Sequence, residues 1–162
     1  MNQKTYIIDG YNLIHKSKRL KKIFTSDPQL AREELVSMLS NFFSSKKAEC
    51  ILVFDGNLNI PSSLSNRYVR VIFSQPPDKA DDQIKKIIMN HDPKRRKNLI
   101  VVSSDNEIIN CAKACGTGRI SSEEFLKILT SRENTHELED KPFVKLTEEE
   151  IKRMFGDEGS YS

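Results

Sequence analysis

The residues of this chain that could do chemistry are its aspartates, because of where they fall. Asp9, Asp55 and Asp105 each stand at or just past the end of a short apolar run, and the pair Asp81 and Asp82 opens an amphipathic stretch. The runs, Thr5 to Ile8, Cys50 to Phe54 and Leu99 to Val102, read as buried β-strands. Ligands of an open parallel α/β sheet bind outside the carboxyl ends of its strands, so these carboxylates are expected to meet there. Carboxylates crowded at one edge repel one another, and a bound cation relieves that repulsion. Donors that are all oxygen favour Mg²⁺ or Mn²⁺ over Zn²⁺, which prefers His and Cys. His15, His91 and His136 lack ligand spacing and read as surface or turn residues.

Each position also has a plainer reading. Asp9 opens the string Asp9-Gly10-Tyr11-Asn12, where the glycine permits a sharp turn that brings the Asn12 amide to the same mouth, and Asp9 could equally be a turn or capping residue. Asp55 could form an Asx-type turn. Asp82 or Asp105 could cap the helix that follows it, which would not stop Asp81 from holding a metal. Ser103 and Ser104 could bond the Asp105 carboxylate or a substrate phosphate. The four positions occurring together favour a metal site over four separate caps.

The elements that must position these groups follow from periodicity. Strand-like runs alternate with helical patterns, which indicates βαβ units and a parallel sheet. Besides the three runs above, Tyr68 to Phe73 and Gly118 to Ile120 read as strands. One helix starts at an Asp27 cap with Pro28 in its first position and carries Ala31, Leu35, Met38, Leu39 and Phe42 on one face. Others run from about Lys79 to Asn90, from Asn106 to Cys115 before Gly116, and from a Ser121/Glu124 capping box through Leu129. A Thr147/Glu150 box opens a last helix. Arg132 to Lys141 reads as a polar linker, which divides the chain into a domain at 1–131 and an acidic linker with a C-terminal helix at 132–162, packed on the same domain.

A chain of 162 residues is long enough to bury a real core, and no apolar run approaches the length of a membrane span. The three cysteines, Cys50, Cys111 and Cys115, are odd in number and without metal-site spacing, which suits free thiols packed as small hydrophobes. The N-terminal residues lead directly into the first strand, so a cytoplasmic location is expected. Residues 1–120 carry 20 basic and 12 acidic side chains, a net +8, whereas residues 121–162 carry 6 basic and 11 acidic, a net −5. A basic body suits a polyanionic partner, and phosphate contacts supply much of nucleic-acid affinity.

The cations divide by topology. Lys16, Lys18, Arg19, Lys21 and Lys22 follow the first strand and should emerge as a loop at the carboxylate edge, where they could grip RNA phosphates. Tyr11 and His15 could stack on a base there, or Tyr11 could simply pack. Lys94 to Lys97 lead into the fourth strand and belong to the opposite edge, suited to structured RNA or to solubility alone.

The strings Tyr6-Ile7-Ile8-Asp9-Gly10-Tyr11-Asn12, Val53-Phe54-Asp55-Gly56, Ala80-Asp81-Asp82 before Ile84, and Val102-Ser103-Ser104-Asp105 resemble, in this order over about residues 5–130, the YacP-like branch of the NYN domains. These domains belong to the PIN-like nuclease superfamily. The resemblance implies a PIN-like three-layer α/β/α sandwich with a central mostly parallel sheet, a divalent-metal site for Mg²⁺ or Mn²⁺, no organic cofactor, and endoribonuclease activity. It carries Asp9, Asn12, Asp81, Asp82 and Asp105 over as site positions. The wider NYN group often has an acid one helical turn after the last aspartate; here that position is Ile109, which leaves open whether Asp55 completes the ligand set.

The expected function is thus hydrolysis of phosphodiester bonds in single-stranded or flexible RNA, mRNA above all. Asp9, Asp81 and Asp105 would be catalytic, Asp82 and Asp55 would help to hold the metal with Asn12 assisting, and Asn12, Tyr11, Ser104, Lys16, Lys18 and Arg19 would bind substrate. Metal-activated water attacking in line would leave a 3′-hydroxyl and a 5′-phosphate. The alternative is a non-cleaving RNA- or ribosome-binding module of the same fold, and a ribosome is a candidate partner in either case. A phosphatase of the strand-end Asp-x-Asp kind would need an acid where Tyr11 stands, and no Gly-rich phosphate loop is present.

Overall fold

The computed structural model describes residues 3–56 and 64–137. Five strands, β1 (Lys4–Asp9), β2 (Ala48–Phe54), β3 (Arg70–Phe73), β4 (Leu99–Val102) and β5 (Gly118–Ile120), form one sheet in the order β3-β2-β1-β4-β5. Every pairing is parallel. The helices are α1 (Gly10–Lys16), α2 (Lys18–Ser26), α3 (Pro28–Phe43), α4 (Ala80–Asn90), α5 (Asn106–Ala114) and α6 (Ser122–Glu137), with a 3₁₀ segment at Pro93–Asn98 ahead of β4.

Alternation along the strands separates two cores. Tyr6, Ile8, Cys50, Leu52, Phe54, Ile100 and Val102 face a layer made by α1, α2, α3 and α6, through residues such as Leu13, Leu20, Leu35 and Phe125. Ile7, Ile51, Val53, Leu99 and Val101 face the opposite layer, where Ile84 and Ile88 of α4 meet Ile108 and Ala112 of α5. Helices therefore cover both faces of the sheet, the usual condition of an all-parallel sheet, and the strands are apolar on both sides for that reason. This is the three-layer PIN-like α/β/α sandwich expected from the sequence, with all described strands parallel.

The chain winds outward from β1 to β2 and β3, then crosses back to place β4 and β5 on the other side of β1. The two halves diverge between β1 and β4, and this switch point is where a crevice opens beyond the strand ends.

Three expectations change. Residues 10–26, read as a sharp turn followed by a basic loop, form α1 and α2. The Ser17 hydroxyl accepts the Leu20 amide at 3.1 Å and starts α2, while Leu20, Ile23 and Phe24 supply an inward face. Gly10 is the first residue of α1, and its lack of a Cβ serves close approach: a Cβ there would lie 2.4 Å from Phe54 Cε1. The third strand begins at Arg70 because Asn66 Oδ1 accepts the amides of Tyr68 and Val69, which folds that segment into a turn.

Arg132 to Glu137, assigned to a linker, continue α6, since neither Gly nor Pro interrupts the run. The remainder of that linker and the helix opened by Thr147 and Glu150 lie outside the described residues. All three cysteines are free; Cys50 is buried, and Cys111 and Cys115 are half-buried against the second core.

Candidate active site

Register builds the centre of the site. β1 pairs with β4 so that Ile8 lies beside Val102, which brings the next residues, Asp9 and Ser103, face to face at the switch point. The Ser103 hydroxyl donates to Asp9 Oδ2 at 3.1 Å and accepts the Asp105 amide at 3.0 Å. Asp105 is the N-cap of α5, its Oδ1 accepting the amides of Glu107 at 2.8 Å and Ile108 at 3.4 Å. Ser103 thus ties two carboxylates, one buried and one exposed, into one turn.

Asp9 is only 9% exposed, and burial pushes its carboxyl up to about 6 from an ordinary 3.8. The Ser103 hydroxyl and the backbone N–H of Asn12 pull it down, while the negative charges of Asp105 and Asp55 push it further up. These three carboxylates therefore share one electrostatic environment. A group held so far from its usual range in a crevice is a mark of a functional site.

Asp55 follows β2 and reaches across to the start of α4, its Oδ1 accepting the Ala80 amide at 2.5 Å. Gly56 makes this possible, since a Cβ there would lie 1.6 Å from the Ser74 carbonyl oxygen. Asp82 Oδ2 accepts the Lys79 amide at 3.0 Å, so Asp55 and Asp82 both cap α4. Asp81 and Asp82 lie in the first turn of that helix, and their charges act on Lys85, whose ammonium group bonds Glu107 of α5 at 3.1 Å. Asp81 and Asp82 stand at the same edge of the sheet as Asp9, yet the charges that reach Asp9 are those of Asp105 and Asp55.

Asn12, in the first turn and a half of α1, has both lone pairs of its Oδ1 occupied. It accepts the Ser104 amide at 3.0 Å and the Ser122 hydroxyl at 2.6 Å. What Asn12 can still offer is its NH₂, a donor group suited to phosphate or carbonyl oxygen and not to a cation. These two hydrogen bonds occupy the oxygen through which the sequence reading has Asn12 assist in holding the metal. Ser104 Oγ donates to Glu123 Oε1 at 2.5 Å and accepts the Ser122 amide at 3.0 Å.

Sequence reasoning passed over Ser122 and Glu123, and it offered the Ser103 hydroxyl to the Asp105 carboxylate or a substrate phosphate, whereas the hydroxyl donates to Asp9. The missed signal was that α6 starts directly after β5, at the same edge as the other strand ends. Glu123, its carboxyl held low chiefly by Ser104, also meets Lys16 at 3.5 Å.

The proposed substrate contacts divide. Lys16 and Arg19 are engaged in ion pairs, Lys16 with Glu123 and Arg19 with Glu34 at 2.6 Å. Lys18, Lys21 and Lys22 are exposed along α2 without an ion pair among the described residues. Tyr11 is half-buried, its ring centroid 4.8 Å from that of Phe54 and 5.5 Å from that of Phe24, and its hydroxyl accepts Arg32 Nη1 at 2.9 Å. Its ring is packing the edge of the first core. His15 is exposed and lies edge-on to Phe24.

The donors at this edge are all oxygen, which suits a hard divalent cation. Among the described residues, no three His, Cys, Asp or Glu side chains stand close enough to form a ready metal cage. Mg²⁺ does not need one, since it commonly keeps much of its water and is bound by one or two carboxylates. Among the described residues, the hydrogen bonds to the Asp55 and Asp105 side chains all fall on Oδ1, and Asp9 accepts from the Ser103 hydroxyl and the Asn12 backbone N–H.

A model of the YacP-like NYN domain family matches residues 6–158. The protein YacP of Bacillus subtilis (strain 168), described as uncharacterized, is 30% identical over 83 residues, covering 50% of this chain and 49% of that protein. The alignment thus spans about half the length of that relative. Among solved structures, Rae1 (YacP) from Bacillus subtilis superposes with a TM-score of 0.69 at 25% identity, covering 93% of this chain and 91% of that one. A mutant form of it gives a TM-score of 0.66 at 22% identity, with 94% and 92% covered. Four motifs in order, a matching sheet and a family match over nearly the whole length agree: the chain belongs to the YacP-like NYN domain family.

Proposed function

We propose that this protein is an endoribonuclease that hydrolyses phosphodiester bonds of single-stranded or flexible RNA with the help of Mg²⁺ or Mn²⁺. The observation that carries the reading is Asp9: a carboxylate buried at the switch point of the sheet, raised to about 6 and flanked by the charges of Asp105 and Asp55. Such an arrangement is costly unless something positive shares it. Asp9 and Asp105 would hold the ion, with Asp81, Asp55 and Asp82 completing its surroundings directly or through water. When bound, the ion would supply an activated water and charge neutralisation for in-line attack on phosphorus.

The chain's own groups orient the substrate. The NH₂ of Asn12, its oxygen locked by Ser104 and Ser122, would donate to a phosphate or sugar oxygen, and Lys18, Lys21 and Lys22 would follow the strand's backbone. Ser103 would keep Asp9 in place.

A second reading, a non-cleaving RNA- or ribosome-binding module, draws support from the use of Asp55, Asp82 and Asp105 as helix caps. The deciding experiment incubates the purified protein with an end-labelled, unstructured RNA in Mn²⁺, Mg²⁺ or EDTA. Cleavage that needs the metal and disappears in Asp9→Asn supports the nuclease. Tight binding without cleavage in any metal favours the second reading.

A further inference from the structure

The four ion pairs among the described residues use Lys16, Arg19, Lys85 and Lys86. The amino ends of the strands carry a second set of cations. Lys4 begins β1, Lys46 and Lys47 precede β2, Arg67 and Arg70 lead into β3, and Lys94 to Lys97 precede β4. Because the sheet order is β3-β2-β1-β4, these cations stand at the same end of four adjacent strands, spanning about 14 Å at the usual interstrand spacing. Lys47, Arg67, Arg70, Lys94, Arg95 and Lys97 are exposed, and none of them makes an ion pair among the described residues. Two acids lie nearby: Asp92, whose Oδ1 caps the Lys94 amide at 3.0 Å, and Glu49, which faces the Thr5 hydroxyl at 3.4 Å.

The strip also contains a shaped recess. A cavity of about 350 Å³ opens between the starts of β2 and β3, bordered by Lys46, Lys47, Arg67, Tyr68 and Arg70. Tyr68 is 37% exposed, with the Arg67 guanidinium 5.4 Å from its ring centroid. The turn carrying both is fixed by Asn66, whose Oδ1 holds the Tyr68 and Val69 amides while its Nδ2 donates to Ser40 of α3 at 2.7 Å. Cations that outnumber their neighbouring acids repel one another, a cost that a polyanion removes. A row of cations over four adjacent strands complements the charge of a phosphate backbone, and an A-form helix is recognised mostly by shape and such backbone contacts. An exposed aromatic ring paired with a guanidinium suits a base that leaves the stack at a loop or bulge.

We propose that the amino-end edge of the sheet, opposite the carboxylates, is a docking surface for the phosphate backbone of folded RNA. It goes beyond the cleavage reading and does not depend on it, since docking at this edge needs neither Asp9 nor a metal. The two faces would divide the work: folded RNA is held at one edge while a flexible strand reaches the other.

The test is an equilibrium titration, in EDTA so that no cutting intrudes, of a fluorescent RNA hairpin with a stem of about ten base pairs. The wild type is compared with Lys47→Ala/Arg67→Ala/Arg70→Ala/Lys97→Ala and with Lys18→Ala/Lys21→Ala/Lys22→Ala on α2. The edge variant should bind at least about tenfold more weakly at 0.1 M salt, and its log K against log salt should flatten by about 0.9 for each phosphate that is no longer neutralised. The α2 variant should bind the hairpin nearly as the wild type does. If the edge variant melts abnormally, Lys94→Ala/Arg95→Ala/Lys97→Ala, confined to the exposed 3₁₀ segment, takes its place. Wild-type protein that fails to bind the hairpin, edge variants that bind it unchanged, or a larger loss from the α2 variant would each overturn the proposal.

Discussion

The Ser103 hydroxyl donates to Asp9 Oδ2 at 3.1 Å across the junction of β1 and β4, joining residues 94 positions apart at the point where the sheet's winding reverses. The bond offsets only part of the cost of keeping a carboxylate there, because burial outweighs it and Asp9 remains raised to about 6. The site therefore stores an unfavourable charge that a cation or a neutral side chain can release.

Asp9→Asn should stabilise the metal-free protein at neutral pH. The folded carboxyl titrates near 6 and the unfolded one near 3.8, so the folded state binds the proton more tightly. Ionisation of Asp9 then lowers stability as pH rises from about 4 to about 6, and the loss persists above that, on the order of 3 kcal/mol. Thermal melts in EDTA should show Asp9→Asn gaining over the wild type between pH 4 and pH 7. Equal gains at both pH values would show that Asp9 is not the titrating group.

Metal should act through the same residue. Adding Mg²⁺ or Mn²⁺ at pH 7 should raise the melting temperature of the wild type, and Asp9→Asn should lose most of this response, because a ligand stabilises only the state that binds it. A full response in Asp9→Asn would place the cation elsewhere.

On RNA cleavage in Mn²⁺, Asp9→Asn should cost at least about 100-fold, a typical scale for loss of a group acting on the reacting water, with RNA affinity nearly unchanged. Asp81→Asn should also reduce cleavage, and comparing the two reads how far α4 takes part. Cleavage unchanged in both variants, measured on protein free of contaminating nuclease, would remove this edge as the active site.

Asn12→Ala would leave the Ser104 amide and the Ser122 hydroxyl without their acceptor. The expected loss is about 1–3 kcal/mol in chemical denaturation, as for other buried groups left unpaired. Asn12→Asp restores the acceptor and should recover most of that stability, yet it replaces the donor NH₂ and should not recover RNA cleavage. Recovery of both would deny Asn12 a role in substrate contact.

Gly10→Ala should destabilise by about 1–3 kcal/mol, since the new methyl would enter the space of the Phe54 ring. Pairing it with Phe54→Leu should cost less than the two changes summed. Full additivity in denaturant melts would show that the two residues do not press on one another.

The strand assignments and the long helices were legible because both follow from the hydrophobic pattern. Leu99–Val102 and Gly118–Ile120 are strands with the ends that sequence alone indicated, and Asp27 with Pro28 marks the start of α3. The carboxylate edge was legible too, since a parallel sheet sends every strand end to the same side. The short helices α1 and α2 were not, because lysines spaced along 16–22 obscure the apolar face made by Leu13, Ile14, Leu20, Ile23 and Phe24.

What the residues by themselves determined is the alternation of strand and helix and the placing of Asp9, Asp55, Asp81, Asp82 and Asp105 at one edge. Only the tertiary structure decided which neighbours each carboxylate meets. The β1–β4 register gives Asp9 its serine and its burial, the close approach of β2 to α4 turns Asp55 into a cap for Ala80, and the start of α6 brings Ser122 and Glu123 to Asn12 and Ser104. Those partners lie between 19 and 110 positions away in the chain, and no local pattern encodes a hydrogen bond that depends on how two distant strands align.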